Sequence, residues 1–524
     1  MPEVTFTIRW PDGEVQPCYS PSRAIEDTLT PGAVYPTAEF LRRTGDALEE
    51  ASERVRAKFG FACTAAAAQL EELATAAARH APHLTGCVTV EAMEIRGAPR
   101  TAPPPADDLE GHVPVVVVGG GQAGLSVSWY LRRQGVEHLV LERHRVADQW
   151  RTARWDAFCL VTPNWQCTLP GHPYDGDDPD GFMLRDDVVA YVEAFAARHD
   201  LPVCEGVDVL AVRPGDEGGF VVETTSGTVT TDQVVLAVGG YHRPRIPALA
   251  ARIPDDVTQL HSSQYKRPSS LPDGGVLVVG SGQSGAQIAE DLHLGGRRVH
   301  LAVGSAPRVS RFYRGRDVVA WLHDMGHYDV PIDDHPMGLQ ARREANHYVT
   351  GRDGGRDIDL RRFAMEGMRL HGRLLGADDG VLRFADDLGA NLDHADKVAE
   401  RAKDGIDRWI LEQGIDAPVE ARYRPVWRPT RSGPSRVDLD GDDVRTVIWA
   451  TGFSSDWSWV HLPAFDGTGY PTHTRGVTTV PGLYVLGLPW LYTWGSGRFA
   501  GIARDAEHVA AHLVGQRTAA PAAA

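Results

Sequence analysis

Val115-Val116-Val117-Val118-Gly119-Gly120-Gly121-Gln122-Ala123-Gly124 is the stretch on which the fold turns. Four β-branched residues in a row read as a buried parallel strand. The glycines that follow allow a tight turn, close approach of backbone to a pyrophosphate, and close packing of a helix. A helix predicted from Leu125 to Arg133 then points its N-terminal amides at that pyrophosphate. His138-Leu139-Val140-Leu141-Glu142 is the second strand, and Glu142 lies 23 residues beyond Gly119. A carboxylate about 20 residues after the first glycine suits a ribose 2′-hydroxyl. Strand, turn, helix, strand and acid in this order imply an ADP-containing cofactor with a free 2′-hydroxyl.

The pattern recurs. Val276-Leu277-Val278-Val279 runs into Gly280-Ser281-Gly282-Gln283-Ser284-Gly285, with a helix from Ala286 to Leu294 and a strand from Arg298 to Val303. Here the same count of 23 from Gly280 reaches Val303, and Gly304 follows. With no acid at that place, and Arg308 and Arg311 just beyond, the expected ligand carries a 2′-phosphate, which favours NADPH over NADH. Two dinucleotide folds in one chain suit a hydride passed from a nicotinamide to a flavin. The fold class is therefore α/β, with two Rossmann-like dinucleotide-binding domains, for FAD and NADPH, and helical insertions.

The rest of the chain is arranged around these two motifs. Its 524 residues exceed one core, so two to four domains are expected. A net charge of −17 argues against nucleic acid or an anionic membrane as partner. No run of apolar residues is long enough to span a bilayer, and Met1 to Val4 does not open a signal peptide. Cys18, Cys63, Cys87, Cys159, Cys167 and Cys204 are dispersed, with no C-x-x-C pair. They read as small buried thiols in a reducing cytoplasm.

Residues 1–96 form a small α+β domain in this reading. Val4, Phe6, Ile8 and Trp10 alternate with polar residues, Pro11-Asp12-Gly13 turns the chain, and Glu14 to Tyr19 returns. A helix from Pro36 carries Leu41, Leu48, Ala51, Val55 and Phe59 on one stripe, and Ala65 to His80 is a second helix. The proline-rich residues 97–112 read as a linker. The FAD domain is assigned to 113–268 and 446–515, and the NADPH domain, with its insertion, to 269–445. Residues 516–524 are a disordered tail. In the insertion, Gly351 to Asp357 reads as a solvated turn and Ala395 to Gln413 as a helix. Trp150 stands near the cofactor rings or in the core.

Several residues together resemble the class B flavoprotein monooxygenases. His261-Ser262-Ser263-Gln264-Tyr265 is similar to the second half of that family's fingerprint, although Val257 and Gln259 replace its Phe and Gly. Ala450-Thr451-Gly452 resembles the family's linker strand, and Gln149-Trp150 its flavin-flanking pair. The stretch Phe158 to Trp165 and the dipeptide Ser284-Gly285 resemble the flavin-dependent oxidoreductases of bacterial nitrilase gene clusters. Residues 1–96 resemble a small nitrogen-starvation response protein of the same clusters, through Thr7 to Gly13 and Ser52 to Lys58.

The resemblance implies a monooxygenase that uses FAD, NADPH and O2, and the cysteine usage a cytoplasmic one. It would insert one oxygen through a flavin C4a-(hydro)peroxide, with N-oxygenation of a small nitrogen-containing metabolite as the first choice. The alternatives are an oxidase or reductase without oxygen insertion, and a Baeyer–Villiger reaction. Asn164, His261 and Tyr265 are the candidate catalytic residues, His261 being read as a domain-positioning residue before a general base. Candidate cofactor contacts at the first motif are Gly119, Gly121, Gln122, Ala123, Gly124, Glu142, Gln149, Trp150 and Val207. Those at the second are Gly280, Ser281, Gly282, Gln283, Ser284, Gly285, Arg308 and Arg311, with Thr451, Gly452 and Gly487 at strand ends. A homo-oligomer and contacts of the N-terminal domain with pathway proteins are the remaining partner expectations.

Overall fold

The computed structural model describes residues 3–20, 24–25, 28–59, 64–79, 86–96, 109–343, 346–430 and 435–519. Near the N-terminus, Glu3–Arg9 pairs antiparallel with Val15–Ser20 on one side and Cys87–Arg96 on the other, and Val34–Pro36 completes the sheet. Helices Thr37–Phe59 and Thr64–Arg79 lie against it. Phe6, Ile8, Trp10, Phe40, Leu48, Val88 and Val90 form a core separate from the rest of the molecule. The long strand Cys87–Arg96 is the element that the sequence reading did not anticipate. Val55 and Phe59, expected on the helix stripe, have side chains outside the described set, as does Cys63.

The first nucleotide unit is a sheet in the order 203–205, 139–142, 115–118, 233–236, 483–485, then two short strands at 477–478 and 473–474. Its first five strands are parallel. Val115 to Val118 are buried, as a central strand covered on both faces must be. Helices Gln122–Arg133 and Phe499–Ala519 pack together over it. The last helix runs to Ala519, so residues 516–519 belong to it and not to a tail; 520–524 lie outside the described residues.

A second sheet joins 209–214, 220–224 and 227–231 to Leu109–His112, which pairs parallel with Gly227–Thr231. The expected linker therefore ends earlier than 112. Its last four residues are a strand held by a full ladder, and residues 97–108 lie outside the described set.

The other nucleotide unit is a five-stranded parallel sheet in the order 258–261, 444–449, 275–279, 299–302, 369–371. Residues 258–261 and 446–449, assigned from sequence to the first unit, hydrogen-bond in this sheet. Val444–Trp449 is its inner strand, between Thr258–His261 and Gly275–Val279. The insertion contributes a helix from Leu388 to Gln413, two turns longer at its start than expected. Gly389, Asn391 and Asp393 are weak helix formers, but Asn391 Nδ2 ties that end to the Val303 carbonyl at 3.0 Å. Gly414, at φ 62°, ends it. Among the described residues, no helix is long and apolar enough to cross a membrane.

Candidate cofactor and substrate site

At the first motif the backbone itself dictates glycine. Gly119 has φ +109°, and a Cβ there would lie 2.7 Å from the Ala237 carbonyl oxygen. A Cβ on Gly124 would fall 1.9 Å from Gly119 O. By contrast, a Cβ on Gly121 would meet nothing within 4 Å. That open face lies where helix Gln122–Arg133 begins, with no side chain capping its first amides. Gly487 closes over the loop, since its Cβ would sit 2.6 Å from Ala123 Cβ. Glu142 takes the Gly120 amide on Oε2 at 2.7 Å and the His144 amide on Oε1 at 3.0 Å. Val207 N bonds the Glu142 carbonyl at 2.9 Å, so Val207 stands beside the acid. These groups fit the ADP half of a dinucleotide: an open anion cradle and a positioned carboxylate.

The second loop repeats the geometry with one exchange. Gly280, at φ +107°, would place a Cβ 2.6 Å from Ala450 O, and Gly285 would place one 1.9 Å from Gly280 O. Gly282 again faces open space and Ser284 is exposed. Where Glu142 reaches back to its loop, here Ser281 Oγ accepts the Gly304 amide at 3.0 Å. A serine thus closes the strand end that an acid closes in the first unit. Gln283 is locked by paired bonds to the Val349 backbone.

Of the two arginines expected at a 2′-phosphate, Arg311 has its terminal donors engaged by the protein. Arg311 is 1% exposed, and its Nη1 and Nη2 are committed to the Val161 carbonyl at 2.7 Å and Asp317 at 2.6 Å. It struts the insertion against the loop of the first unit. Arg308 is 3% exposed, bonds Asp396 through Nε at 2.7 Å, and lies 4.3 Å from the Tyr423 ring. Among the described residues, its Nη1 and Nη2 are buried without a hydrogen-bond partner.

The fingerprint residues brace the second unit and the connection beside it. His261 is fully buried; its Nε2 lies 3.0 Å from the Gly452 carbonyl and its Nδ1 2.9 Å from Ser263 Oγ. A carbonyl only accepts, so the proton is on Nε2 and Nδ1 accepts from the serine. Burial pushes this imidazole below its usual range. Tyr265 is also fully buried and donates to Asp291 Oδ2 at 2.6 Å, and burial raises its phenol. Arg352 Nη1 takes the other Asp291 oxygen at 2.7 Å, and Arg356 pairs with the neighbouring Glu290 at 3.0 Å. The segment expected as a solvated turn is therefore a clamp on helix Gln283–Leu294. Thr451 bonds the Arg245 carbonyl and Gly452 has φ +79°, so this pair carries the chain between the units.

Around the first loop, Trp150 Nε1 donates to Gln122 Oε1 at 3.2 Å, and Gln122 Nε2 donates to Gly497 O at 3.2 Å. Trp150 stacks on Phe499 at 5.8 Å. Adjacent helical residues do not share a face; Gln149 is exposed and turns away from this group. Asn164 is not free for catalysis. Its Nδ2 holds the Asp178 carbonyl at 2.9 Å and its Oδ1 the Met183 amide at 2.7 Å. Two residues on, Gln166 is 3% exposed with neither amide atom bonded. Thr168, two further on, reaches the Phe499 carbonyl at 3.3 Å. Sequence reasoning missed Gln166 because no spacing marks a buried amide left without a partner.

Residues 5–93 match the family described as nitrogen starvation-induced protein NitG, and residues 116–323 match the pyridine nucleotide-disulphide oxidoreductases. The chain is 32% identical to a CzcO-like oxidoreductase of Geobacillus kaustophilus, over 76% of this chain and 97% of that protein. It is 31% identical to the indole-3-pyruvate monooxygenase YUCCA1 of Oryza sativa subsp. japonica, over 73% of this chain and 89% of that protein. The fold is shared with a variant of a Stenotrophomonas maltophilia flavin monooxygenase, with 20% identity and a TM-score of 0.53 over 78% of this chain and all of that one. It is shared equally with the ornithine N-hydroxylase of Kutzneria sp. 744, at 17% identity and a TM-score of 0.53, over 78% of this chain and 100% of that chain.

Proposed function

The chain belongs to the flavin-dependent oxidoreductase family of the CzcO-like proteins and the indole-3-pyruvate monooxygenases, and from that premise we propose that it is an FAD- and NADPH-dependent monooxygenase. The observation that carries this reading is the pair of unequal cradles, one closed by Glu142 and the other by Ser281. The acid suits a flavin's unmodified ribose. The absence of an acid at Val303-Gly304 favours NADPH, although Arg311 is engaged elsewhere.

Bound FAD would supply hydride acceptance and O2 chemistry at this site. The chain's own residues bind, align and keep water out. Gly119 to Gly124 and Gly280 to Gly285 receive the two pyrophosphates. Trp150 and Phe499 wall the region beyond the first loop. Gln166 offers a donor and an acceptor there. His261 holds the connection at Gly452 and Tyr265 braces helix Gln283–Leu294 behind the second cradle.

A nitrogen-containing metabolite is the favoured substrate, because the chain carries a domain matching a nitrogen starvation-induced family. Dithiol chemistry is disfavoured. Cys159 and Cys167 are both buried free thiols, and burial pushes Cys167 up to about 12. The test is single turnover of the purified holoenzyme with NADPH, first without and then with labelled O2 and an amine panel. Label in an oxygenated amine supports the reading; recovery of all the oxygen as H2O2 with every amine makes the enzyme an oxidase.

A further inference from the structure

One acid of the first unit is sealed inside the protein. Asp505, on helix Phe499–Ala519, is 1% exposed, and among the described residues neither of its oxygens takes a hydrogen bond. The cations beside it are Arg504 and Arg475, and both are drawn elsewhere. Arg504 gives Nη1 to Asp329 at 2.9 Å and Nη2 to Thr493 Oγ1 at 2.6 Å. The Arg475 guanidinium lies 3.8 Å from the Tyr492 ring. A carboxylate out of reach of water and of any donor is costly to keep charged. Burial accordingly lifts this carboxyl above its usual range.

Helix geometry sets what this acid faces. The turn Trp494–Gly497 lies directly on the start of the helix, since a Cβ on Gly501 would sit 2.5 Å from the Gly495 carbonyl carbon. Asp505 comes four residues after Gly501 and shares its face. In that turn Ser496 is fully buried, and its Oγ accepts the Tyr492 and Thr493 amides, both at 2.9 Å. Those bonds use the lone pairs of the hydroxyl and leave its proton to be given away. The side chain of Asp505 is turned toward that hydroxyl.

The turn reaches the first cradle. The Gly497 carbonyl accepts Gln122 Nε2 at 3.2 Å, Gln122 opens the helix that begins at the glycine loop, and Gln122 Oε1 accepts Trp150 Nε1 at 3.2 Å. A shift of the turn therefore moves Gln122 and Trp150 together. We propose that Asp505, as the uncharged acid, receives the Ser496 hydroxyl and is the positioning residue of the turn that sets Gln122 and Trp150 at the flavin. This rests on the first loop being the FAD cradle and not on the oxygenation chemistry.

The experiment measures FAD affinity and the flavin absorbance spectrum of the wild type and its variants. Asp505→Asn keeps an acceptor of the same shape and is expected to hold FAD within about twofold of the wild type, with an unchanged spectrum. Asp505→Leu, similar in size but without an acceptor, is expected to weaken FAD by about tenfold and to shift the spectrum, and Ser496→Ala to do the same. The double variant Ser496→Ala with Asp505→Leu should be no weaker than either alone, as two members of one pair. The proposal is overturned if Asp505→Asn falls with Asp505→Leu, since a charge paired with Arg475 or Arg504 is then required. It is also overturned if Asp505→Leu binds FAD with wild-type affinity and spectrum, or if the two single losses add. Should Asp505→Leu fail to fold, the infrared difference between wild-type and Asp505→Asn apoprotein at neutral pH decides. A protonated-carboxyl band in the wild type alone is expected, and its absence overturns the proposal. Failure of NADPH to bleach the wild-type flavin without oxygen would sink the monooxygenase reading alone, leaving these results standing.

Discussion

The Gly120 amide donates to Glu142 Oε2 at 2.7 Å, joining the glycine loop to the end of the next strand. The loop is thus shaped by the acid before any ligand arrives. Glu142→Ala removes the acceptor of two backbone amides, those of Gly120 and His144. FAD affinity should fall by about tenfold or more, since each lost charge-assisted bond is worth roughly 1.5–3 kcal/mol. Equilibrium dialysis of the apoprotein with FAD checks this. Gly124→Val should be purified colourless, because even its Cβ would overlap the Gly119 carbonyl oxygen at 1.9 Å.

Gln166 separates binding from stability. Its amide is buried with neither end bonded, a cost of about 1–3 kcal/mol per unpaired group. Gln166→Leu should raise the melting temperature of the apoprotein while weakening FAD or substrate binding. A variant that is stabilised and keeps wild-type affinity for both would deny the amide any part in the site.

Tyr265→Phe should lower stability by about 1–3 kcal/mol in urea unfolding, because Asp291 keeps Arg352 but loses the phenol. The pH profile of NADPH oxidation should not move. The phenol, raised by burial and by Asp291, does not titrate in the working range.

His300 and His371 stack at 5.3 Å inside the second unit, and burial holds both down at about 4. Their folded values lie below the unfolded one, so protons favour the unfolded chain. Stability is expected to be full above about pH 6.5 and to fall as pH drops toward 4, by up to about 1.4 kcal/mol per pH unit for each histidine. Urea midpoints between pH 7.5 and 5 test this, and His371→Leu should flatten the slope.

Truncation should respect strand pairing rather than composition. Removing residues 1–108 leaves Leu109–His112 on its partner strand, and the remainder should still bind FAD. Removing residues 1–114 strips that strand from Gly227–Thr231 and should lower the melting temperature of the remainder by several degrees. Thermal unfolding followed by flavin fluorescence distinguishes the two.

Both nucleotide folds were legible because their determinants are local. Four valines, a glycine at positive φ and a following helix start are written in consecutive residues, and so is the missing acid at Val303-Gly304. Residues whose meaning depends on a distant partner were not legible. Arg311 looks like a phosphate ligand until Val161 and Asp317 consume its donors. Asn164 looks catalytic until Asp178 and Met183 occupy its amide, and Gln166 looks ordinary until it is seen to have no partner.

The sequence alone determined that two glycine-loop cradles exist and that an acid ends the strand of only the first, because steric demand and strand-end chemistry act within about 25 residues of chain. Tertiary structure alone decided which side chains remain free to act. Whether a donor or charge is spent is settled by groups such as Asp291, Asp396 and Gly452, brought up from other elements by the packing of two sheets.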